Sequence, residues 1–114
     1  MLNEKAIHNL INAPAEKRYK SFLNTVTDIG IVWFSVHKEN NINVMYLWPR
    51  KELCLFNEEP INDILSIEVH TFVNVLNSFE DNTVFNVFPN VNDSFKVGKK
   101  KLYEDIVEYL NRIE

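Results

Sequence analysis

The sequence predicts an α+β fold, in which helices pack against a mainly antiparallel sheet of three to five strands. Two apolar runs end in a large aromatic residue followed by proline, Leu47-Trp48-Pro49 and Val87-Phe88-Pro89. Proline has no N–H to donate to a strand ladder, so each proline marks the end of a strand. Segments with the 3.6-residue spacing of amphipathic helices lie before, between and after these runs. The sequence leaves the order of the strands open.

The length of 114 residues fits one domain spanning 1–114. Hydrophobic residues make up 46% of the chain, enough for a single core without further crosslinks. The one cysteine, Cys54, cannot form an internal disulfide, which favours a reducing compartment. No stretch approaches the ~20 apolar residues of a membrane span, and the N-terminus lacks the order of a signal peptide. We therefore expect a soluble cytoplasmic protein that does not contact a membrane.

Helical patterns open the chain. Apolar residues at helical spacing predict a short helical extension over 1–12. Pro14 breaks this run and suits the first turn of a second helix. That helix is predicted to reach Asp28, with Gly30 ending the connection after it. Its buried stripe consists of Tyr19, Phe22, Leu23 and Val26.

The first two strands are predicted at 31–36 and 42–48, where β-branched and aromatic residues dominate. The five polar residues 37–41 between them predict the turn of a hairpin. After Pro49 the stretch 50–56 is predicted to form a short helix. In it Cys54 lies between two leucines and is interpreted as a small core residue.

The second half repeats the strand-then-helix pattern. A short strand is predicted at 64–67, and Ser66 is a candidate N-cap for the helix that follows. The clearest helical stripe of the chain comes next, formed by Val69, Phe72, Val73, Leu76 and Phe79. Strands are predicted at 84–88 and 94–97. A last amphipathic helix is predicted after Gly98.

Several of these motifs are shared with a known family. They are spread over residues 14–113 and consist of Arg18, Tyr19 and Phe22, then Val32-Trp33, Leu47-Trp48-Pro49, Ile64, Ile67, Phe72 and Leu76, and Val87-Phe88-Pro89. In their order and spacing the chain resembles a family of small bacterial proteins, the domain of unknown function 2750. The chain departs from that family over 51–56, where the family usually has an alanine-containing helix. The resemblance implies a compact α+β domain and no catalytic residues, because the family's function is not established.

Charge is unevenly distributed along the chain, whose net charge is −4. Residues 52–95 carry acidic side chains and no lysine or arginine. Phosphate binding needs basic side chains, so this stretch argues against a nucleic-acid partner. It permits a basic protein partner, although an ordinary solvated acidic surface is the commoner meaning of such a charge run. The candidate partner-binding residues are the acids of its two predicted turns, Glu58, Glu59, Glu80 and Asp81.

Residue patterns typical of catalysis or metal binding do not emerge from the sequence. The three histidines show no metal-ligand spacing with one another or with Cys54. The chain has two glycines and therefore no glycine-rich phosphate loop, and it has no nucleophile elbow. We therefore predict that the protein is not an enzyme and holds no metal and no cofactor.

Two functions from different classes follow. The first is a non-enzymatic protein-binding module, most concretely a bacterial immunity protein that neutralises a toxin by occupying its active surface. The alternative is a regulatory domain that binds a small molecule or nucleotide. Its candidate ligand surface consists of Trp48, Arg50 and Phe88, where two strands end in aromatic residues. Core packing is the commoner role of such aromatic residues. The sequence leaves the oligomeric state, the partner and the ligand undetermined.

Overall fold

A computed structural model describes residues 4–56, 63–89 and 95–113 of the chain. Their elements are, in chain order, α1 (Glu4–Asn12), α2 (Ala15–Ile29), β1 (Ile31–Glu39), β2 (Ile42–Trp48), a 3₁₀ helix (Lys51–Phe56), β3 (Leu65–Glu68), α3 (Val69–Leu76), β4 (Val84–Val87), β5 (Phe95–Val97) and α4 (Lys99–Ile113). Helices pack against a single five-stranded sheet, which confirms the predicted α+β class.

The strands lie side by side in the order β3-β1-β2-β4-β5. Three of the four neighbouring pairs are antiparallel, as predicted, but β2 and β4 run parallel, so the sheet is mixed. A parallel pair needs a crossover connection, and the segment containing β3 and α3 supplies it. Because β2 and β4 run in the same direction, the loop that precedes β4 lies at the same end of the sheet as the β1–β2 turn. We call this the hairpin end.

The β1–β2 turn is tighter than predicted. Residues 37–39 continue β1, and only Asn40 and Asn41 connect the two strands. Both asparagines have positive φ, 52° and 66°. A two-residue turn of this kind matches the right-handed twist of a hairpin, and asparagine tolerates the left-handed region better than most residues. The prediction of a five-residue turn was therefore wrong, because polar residues can occupy a strand that faces solvent.

The hydrophobic core lies between the sheet and helices α2, α3 and α4. The ring of Phe72 in α3 packs edge-on against that of Phe85 in β4, with centroids 6.4 Å apart. Tyr19 in α2 stacks on Phe95 in β5 at 4.1 Å. The fully buried strand residues on this face of the sheet are Val32, Leu47, Phe85 and Val87. Because side chains alternate along a strand, the residues between them point to the opposite face, which we call the far face.

The N-cap residue of helix α3 lies two residues later than the sequence predicts. Glu68, rather than Ser66, is its N-cap residue, and the Glu68 carboxylate accepts a hydrogen bond of 2.9 Å from the Thr71 backbone N–H. The other carboxylate oxygen lies 2.6 Å from His70 Nδ1. Phe79 lies beyond the end of α3 at Leu76, although its ring still packs on Phe85. The predicted stripe is therefore helical up to Leu76.

Replacing Glu68 by Gln is expected to make the melting temperature depend less on pH in the acidic range. The hydrogen bond from His70 and then that from the Thr71 backbone lower the pKa of Glu68 to about 2, below its usual value near 4.5. A carboxyl with a lowered folded-state pKa stabilises the fold above about pH 4.5 and loses this contribution as the pH falls toward 2. Melting temperatures of wild type and Glu68→Gln should therefore differ at pH 6 and converge toward pH 2. Glu104→Gln, at an exposed position of α4, is the control, and its melting temperature should follow that of wild type at both pH values. A Glu68→Gln curve parallel to that of wild type would contradict the assignment.

The second aromatic–proline motif ends its strand differently from the prediction. β4 ends at Val87, and Phe88 adopts a positive φ of 50° while remaining 2% exposed. Its backbone N–H donates to the Leu47 carbonyl at 2.7 Å, and its own carbonyl accepts from Arg18 Nε at 3.2 Å. Arg18 is itself 1% exposed, and its guanidinium also donates to the Ala13 carbonyl. A buried arginine of α2 therefore holds the turn that follows β4.

Candidate functional site

The far face of the sheet carries a row of polar side chains that the strand register brings together. Ser35 lies opposite Tyr46, Tyr46 opposite Asn86, and Asn86 opposite Lys96, so the row crosses β1, β2, β4 and β5. A groove of about 360 Å³ runs over this row toward the hairpin end. It is lined by Glu39, Asn40, Ile42, Val44, Tyr46, Val84, Asn86 and Lys96. We call this the far-face groove.

Tyr46 and Glu39, which line one wall of the groove, belong to a set of aromatic and polar side chains that contact each other. The Tyr46 hydroxyl donates to Glu39 Oε1 at 3.2 Å, and the Tyr46 ring lies 4.5 Å from that of His37. His37 Nε2 lies 2.9 Å from Ser35 Oγ. Trp48 packs edge-on against the other side of Tyr46, with centroids 6.0 Å apart. These contacts hold the Tyr46 ring in place, which suits a binding surface better than a mobile side chain would.

Asn86 is the polar residue at the bottom of the groove. It is 9% exposed, and its carboxamide oxygen has no hydrogen-bond partner among the residues that the structure describes. Leaving a buried acceptor unpaired costs about 1–3 kcal/mol, and native structures pair the great majority of such groups. The oxygen itself is almost completely covered, so an N–H or O–H group in the groove reaches it only when the carboxamide turns toward the groove.

Charge at the two ends of the groove is opposite in sign. Glu39 and Lys96 are both exposed, and they stand on β1 and β5 respectively. Between them the lining includes three apolar residues, Ile42, Val44 and Val84, on neighbouring strands. The groove thus combines apolar and polar residues in its middle with two charged ends.

The distance between Ser35 Oγ and His37 Nε2 is that of a catalytic nucleophile and its base, but the other features of such a pair are missing. Ser35 is 2% exposed, so its hydroxyl is closed to a substrate and serves to orient the His37 ring. The other two histidines lie elsewhere, His8 beside Asn12 and His70 beside Glu68. Within residues 4–56, 63–89 and 95–113, no three His, Cys, Asp or Glu side chains converge as a metal site would require. The Cys54 side chain lies outside the described part of the chain.

The structure does not form the predicted ligand surface of Trp48, Arg50 and Phe88. Trp48 is 0% exposed and Phe88 is 2% exposed, so neither ring is available to a ligand. Trp48 is buried because it pairs with Trp33 in the sheet and the 3₁₀ helix lies against β2. Phe88 is buried because its positive φ turns the chain beneath Arg18.

Arg50, the third member of that set, lies apart from the far-face groove. It lines a cleft of about 400 Å³ together with Asp28 of α2 and Arg112 of α4. Arg112 is held by an ion pair of 2.7 Å to Glu108 and by the Tyr109 ring beneath its guanidinium. The cleft is therefore a junction between helices, stabilised by contacts of its own.

The predicted partner-binding acids divide into two pairs. Glu58 and Glu59 lie outside the described residues. Glu80 and Asp81 are exposed in the turn between α3 and β4, at the hairpin end of the sheet. Asp81 pairs with Lys99 Nζ at 2.8 Å, which lowers the pKa of its carboxyl, and Lys99 also donates to the Phe79 carbonyl. Asp81 therefore helps to fix this turn, and Glu80 remains the better candidate for an outward contact.

Sequence reasoning did not identify the residues of the far-face groove. Alternation along 31–39 and 42–48 places His37 and Tyr46 on a common face, which was a usable signal. No comparable signal joined Asn86 and Lys96 to them, because that requires knowing that β4 lies next to β2. Strand order is a non-local property, and local patterns do not specify it.

Comparisons with protein families, with curated proteins and with solved structures found no match to this chain. Within the described residues, no helix is both long and apolar enough to cross a membrane. The resemblance to the domain of unknown function 2750 therefore stays a prediction from the sequence, and the geometry of the far-face groove is the basis for the functional assignment.

Proposed function

We propose that this chain is a non-enzymatic protein-binding module that docks its partner on the far face, at the hairpin end. The observation that carries the proposal is the unpaired, buried Asn86 carboxamide in a groove walled by Tyr46. Aromatic residues held in place beside apolar and polar groups are typical of the centre of protein interfaces. Glu39 and Glu80 lie at the same end of the sheet, where they supply an acidic rim.

The concrete form of this proposal is a bacterial immunity protein of the cytoplasm that neutralises a toxin. Its small size and net charge of −4 support this, because an acidic surface attracts a basic partner and speeds their encounter. Barnase and barstar are the established example of such charge-assisted association. In this role the far face would cover the toxin's active surface.

A second candidate is a regulatory domain that binds a small molecule. The volume of the far-face groove, about 360 Å³, falls within the usual range for ligand pockets, roughly 300–1,000 Å³. A small ligand retained through purification and released on unfolding would favour this candidate. A protein partner whose binding depends on the rim acids would favour the first.

Reversing two rim charges is expected to slow association with the partner. The test is a pull-down from the native host followed by association kinetics with the captured protein. Glu39→Lys combined with Glu80→Lys should lower the association rate constant by roughly two- to tenfold at low salt, because rim charges act mainly on encounter. Raising the salt concentration should slow the wild type toward the rate of the variant.

The control is Glu104→Lys, which reverses one charge on the exposed side of α4, in the helical layer, and is matched to the single rim variants Glu39→Lys and Glu80→Lys. It should change the association rate less than either rim variant does. A partner that associates equally fast with wild type, rim variant and control would overturn docking at the hairpin end. Failure to capture any protein partner would overturn the protein-binding proposal as a whole.

A further inference from the structure

We infer that the far-face groove holds an extended peptide segment of the partner, with the Asn86 carboxamide paired to one of its backbone peptide groups. The inference rests on the proposed protein-binding function and names the chemistry of what the groove receives. It is carried by the acceptor at Asn86, by the spacing of the charged ends and by the apolar lining between them.

A carboxamide and a peptide group carry the same complementary pair of hydrogen-bonding groups. The asparagine side chain presents one carbonyl acceptor and one NH₂ donor, and each backbone residue presents one N–H and one C=O. The Asn86 oxygen lacks a partner among the described residues and is covered, so the proposed pairing requires the carboxamide to turn toward the groove, where its oxygen needs a donor. A backbone N–H supplies that donor whatever the partner's side chain at that position. This makes a peptide a better occupant than a ligand rich in acceptors, such as a phosphate.

The distance between the charged ends selects a long occupant. Ser35 serves as the reference point for this distance. Glu39 lies four residues further along β1, and Lys96 lies three strands across the sheet from Ser35, in the same row. With ~3.3 Å per residue and ~4.8 Å between strands, their Cα atoms are separated by roughly 19 Å along the diagonal. The two side chains reach inward and leave a span of about four or five extended residues. A single amino acid or another small zwitterion is too short to contact both ends.

The lining predicts the character of the segment. A basic side chain pairs with Glu39 at one end, and an acidic side chain pairs with Lys96 at the other. Between them, β-branched apolar side chains pack on Ile42, Val44 and Val84 and against the edge of the Tyr46 ring. The probe that follows from this is the capped peptide Arg-Val-Thr-Val-Glu.

The test is a specificity switch measured by fluorescence anisotropy at low salt. Wild type should bind Arg-Val-Thr-Val-Glu more tightly than the matched peptides with arginine at both ends or glutamate at both ends, by roughly two- to fivefold, as expected of exposed ion pairs. Glu39→Lys should shift the preference to the peptide with glutamate at both ends. Lys96→Glu should shift it to the peptide with arginine at both ends. Lys100→Glu, at an exposed position at the start of α4, is the control and should keep the wild-type order.

Asn86→Leu provides a second test, because its expected effects on melting temperature and peptide affinity differ from those of losing a purely structural residue. Leucine removes the unpaired acceptor, so the melting temperature should stay the same or rise while peptide affinity falls at least tenfold. A fall in melting temperature with unchanged affinity would show that Asn86 serves the fold and would overturn the inference. The inference also fails if wild type binds none of the three peptides at millimolar concentration, or if the charge variants keep the wild-type order. The proposed function survives either result, provided that the captured partner still associates more slowly with the Glu39→Lys, Glu80→Lys variant.

Discussion

Replacing Arg18 by Ala is expected to lower the free energy of unfolding by about 3–5 kcal/mol. The guanidinium donates to the carbonyls of Ala13 and Phe88, and Arg18 is 1% exposed. A hydrogen bond from a charged group contributes roughly 1.5–3 kcal/mol, and losing it leaves a carbonyl without its donor. The guanidinium also lies 6.0 Å from the centre of the Phe88 ring, so its removal opens space beside a core residue.

The effect should be large because Arg18 holds a conformation that Phe88 does not favour by itself. A positive φ at a residue other than glycine costs about 1–3 kcal/mol and persists only where the surrounding structure imposes it, as at Phe88. Two hydrogen bonds hold the backbone of Phe88 in this conformation. Its N–H donates to the Leu47 carbonyl, and its own carbonyl accepts from Arg18. Without Arg18 the turn at Phe88 loses one of these two restraints.

Urea unfolding of three variants would check this expectation. Arg18→Ala should show the full loss, and Arg18→Lys a partial one, because lysine keeps the charge but not the planar fork that reaches two carbonyls. Lys17→Ala, at the neighbouring exposed position of α2, should stay within about 0.5 kcal/mol of wild type. A loss below about 1 kcal/mol in Arg18→Ala would show that the two bonds contribute little to the stability of the fold.

The burial of Arg18 illustrates which features the sequence could not predict. Arginine is rarely buried, although helical spacing places Arg18 on the same stripe as Phe22 and Val26. Only the tertiary structure brings the Phe88 carbonyl, 70 positions away, to its side chain. The aromatic–proline ending was correctly predicted to terminate a strand, but how the chain turns at Phe88 depends on this distant partner.

The elements themselves could be predicted because their signals are local. The stripe of α2 needs only the 3.6-residue spacing of Tyr19, Phe22 and Val26, and all three are buried. By contrast, the groove depends on β4 lying parallel to β2, which is a contact between segments about 40 residues apart. The same limit explains why the sequence places Trp48 on a candidate ligand surface, since the burial of Trp48 depends on strand pairing and on the 3₁₀ helix.

Replacing Leu76 by Ala is expected to destabilise the fold by about 2–5 kcal/mol. Leu76 is 0% exposed and belongs to the core that joins α3 to the sheet, and its predicted burial is confirmed. Truncation removes buried apolar surface and leaves a cavity, which in comparable cores costs this amount. α3 has eight residues, too few for a helix to be stable in water without packing. Its helical structure therefore depends on the contacts that Leu76 and Phe72 make with the core.

Val75 provides the matched control, since it is the preceding residue of the same helix and is 37% exposed. Val75→Ala should change the free energy of unfolding much less than Leu76→Ala, and the better helix propensity of alanine offsets part of its loss. Denaturant unfolding monitored by circular dichroism measures both variants under the same conditions.

If Leu76→Ala lowers the free energy of unfolding by less than about 0.5 kcal/mol, α3 does not anchor the crossover between β2 and β4. The groove at the hairpin end would then be positioned by the pairing of β4 with β2 and β5 and by the contacts of β4 with α2 and α4, and Leu76→Ala would leave peptide binding unchanged. If the cost is as large as expected, Leu76→Ala should weaken peptide binding as well, because Asn86 stands on the strand that α3 leads into.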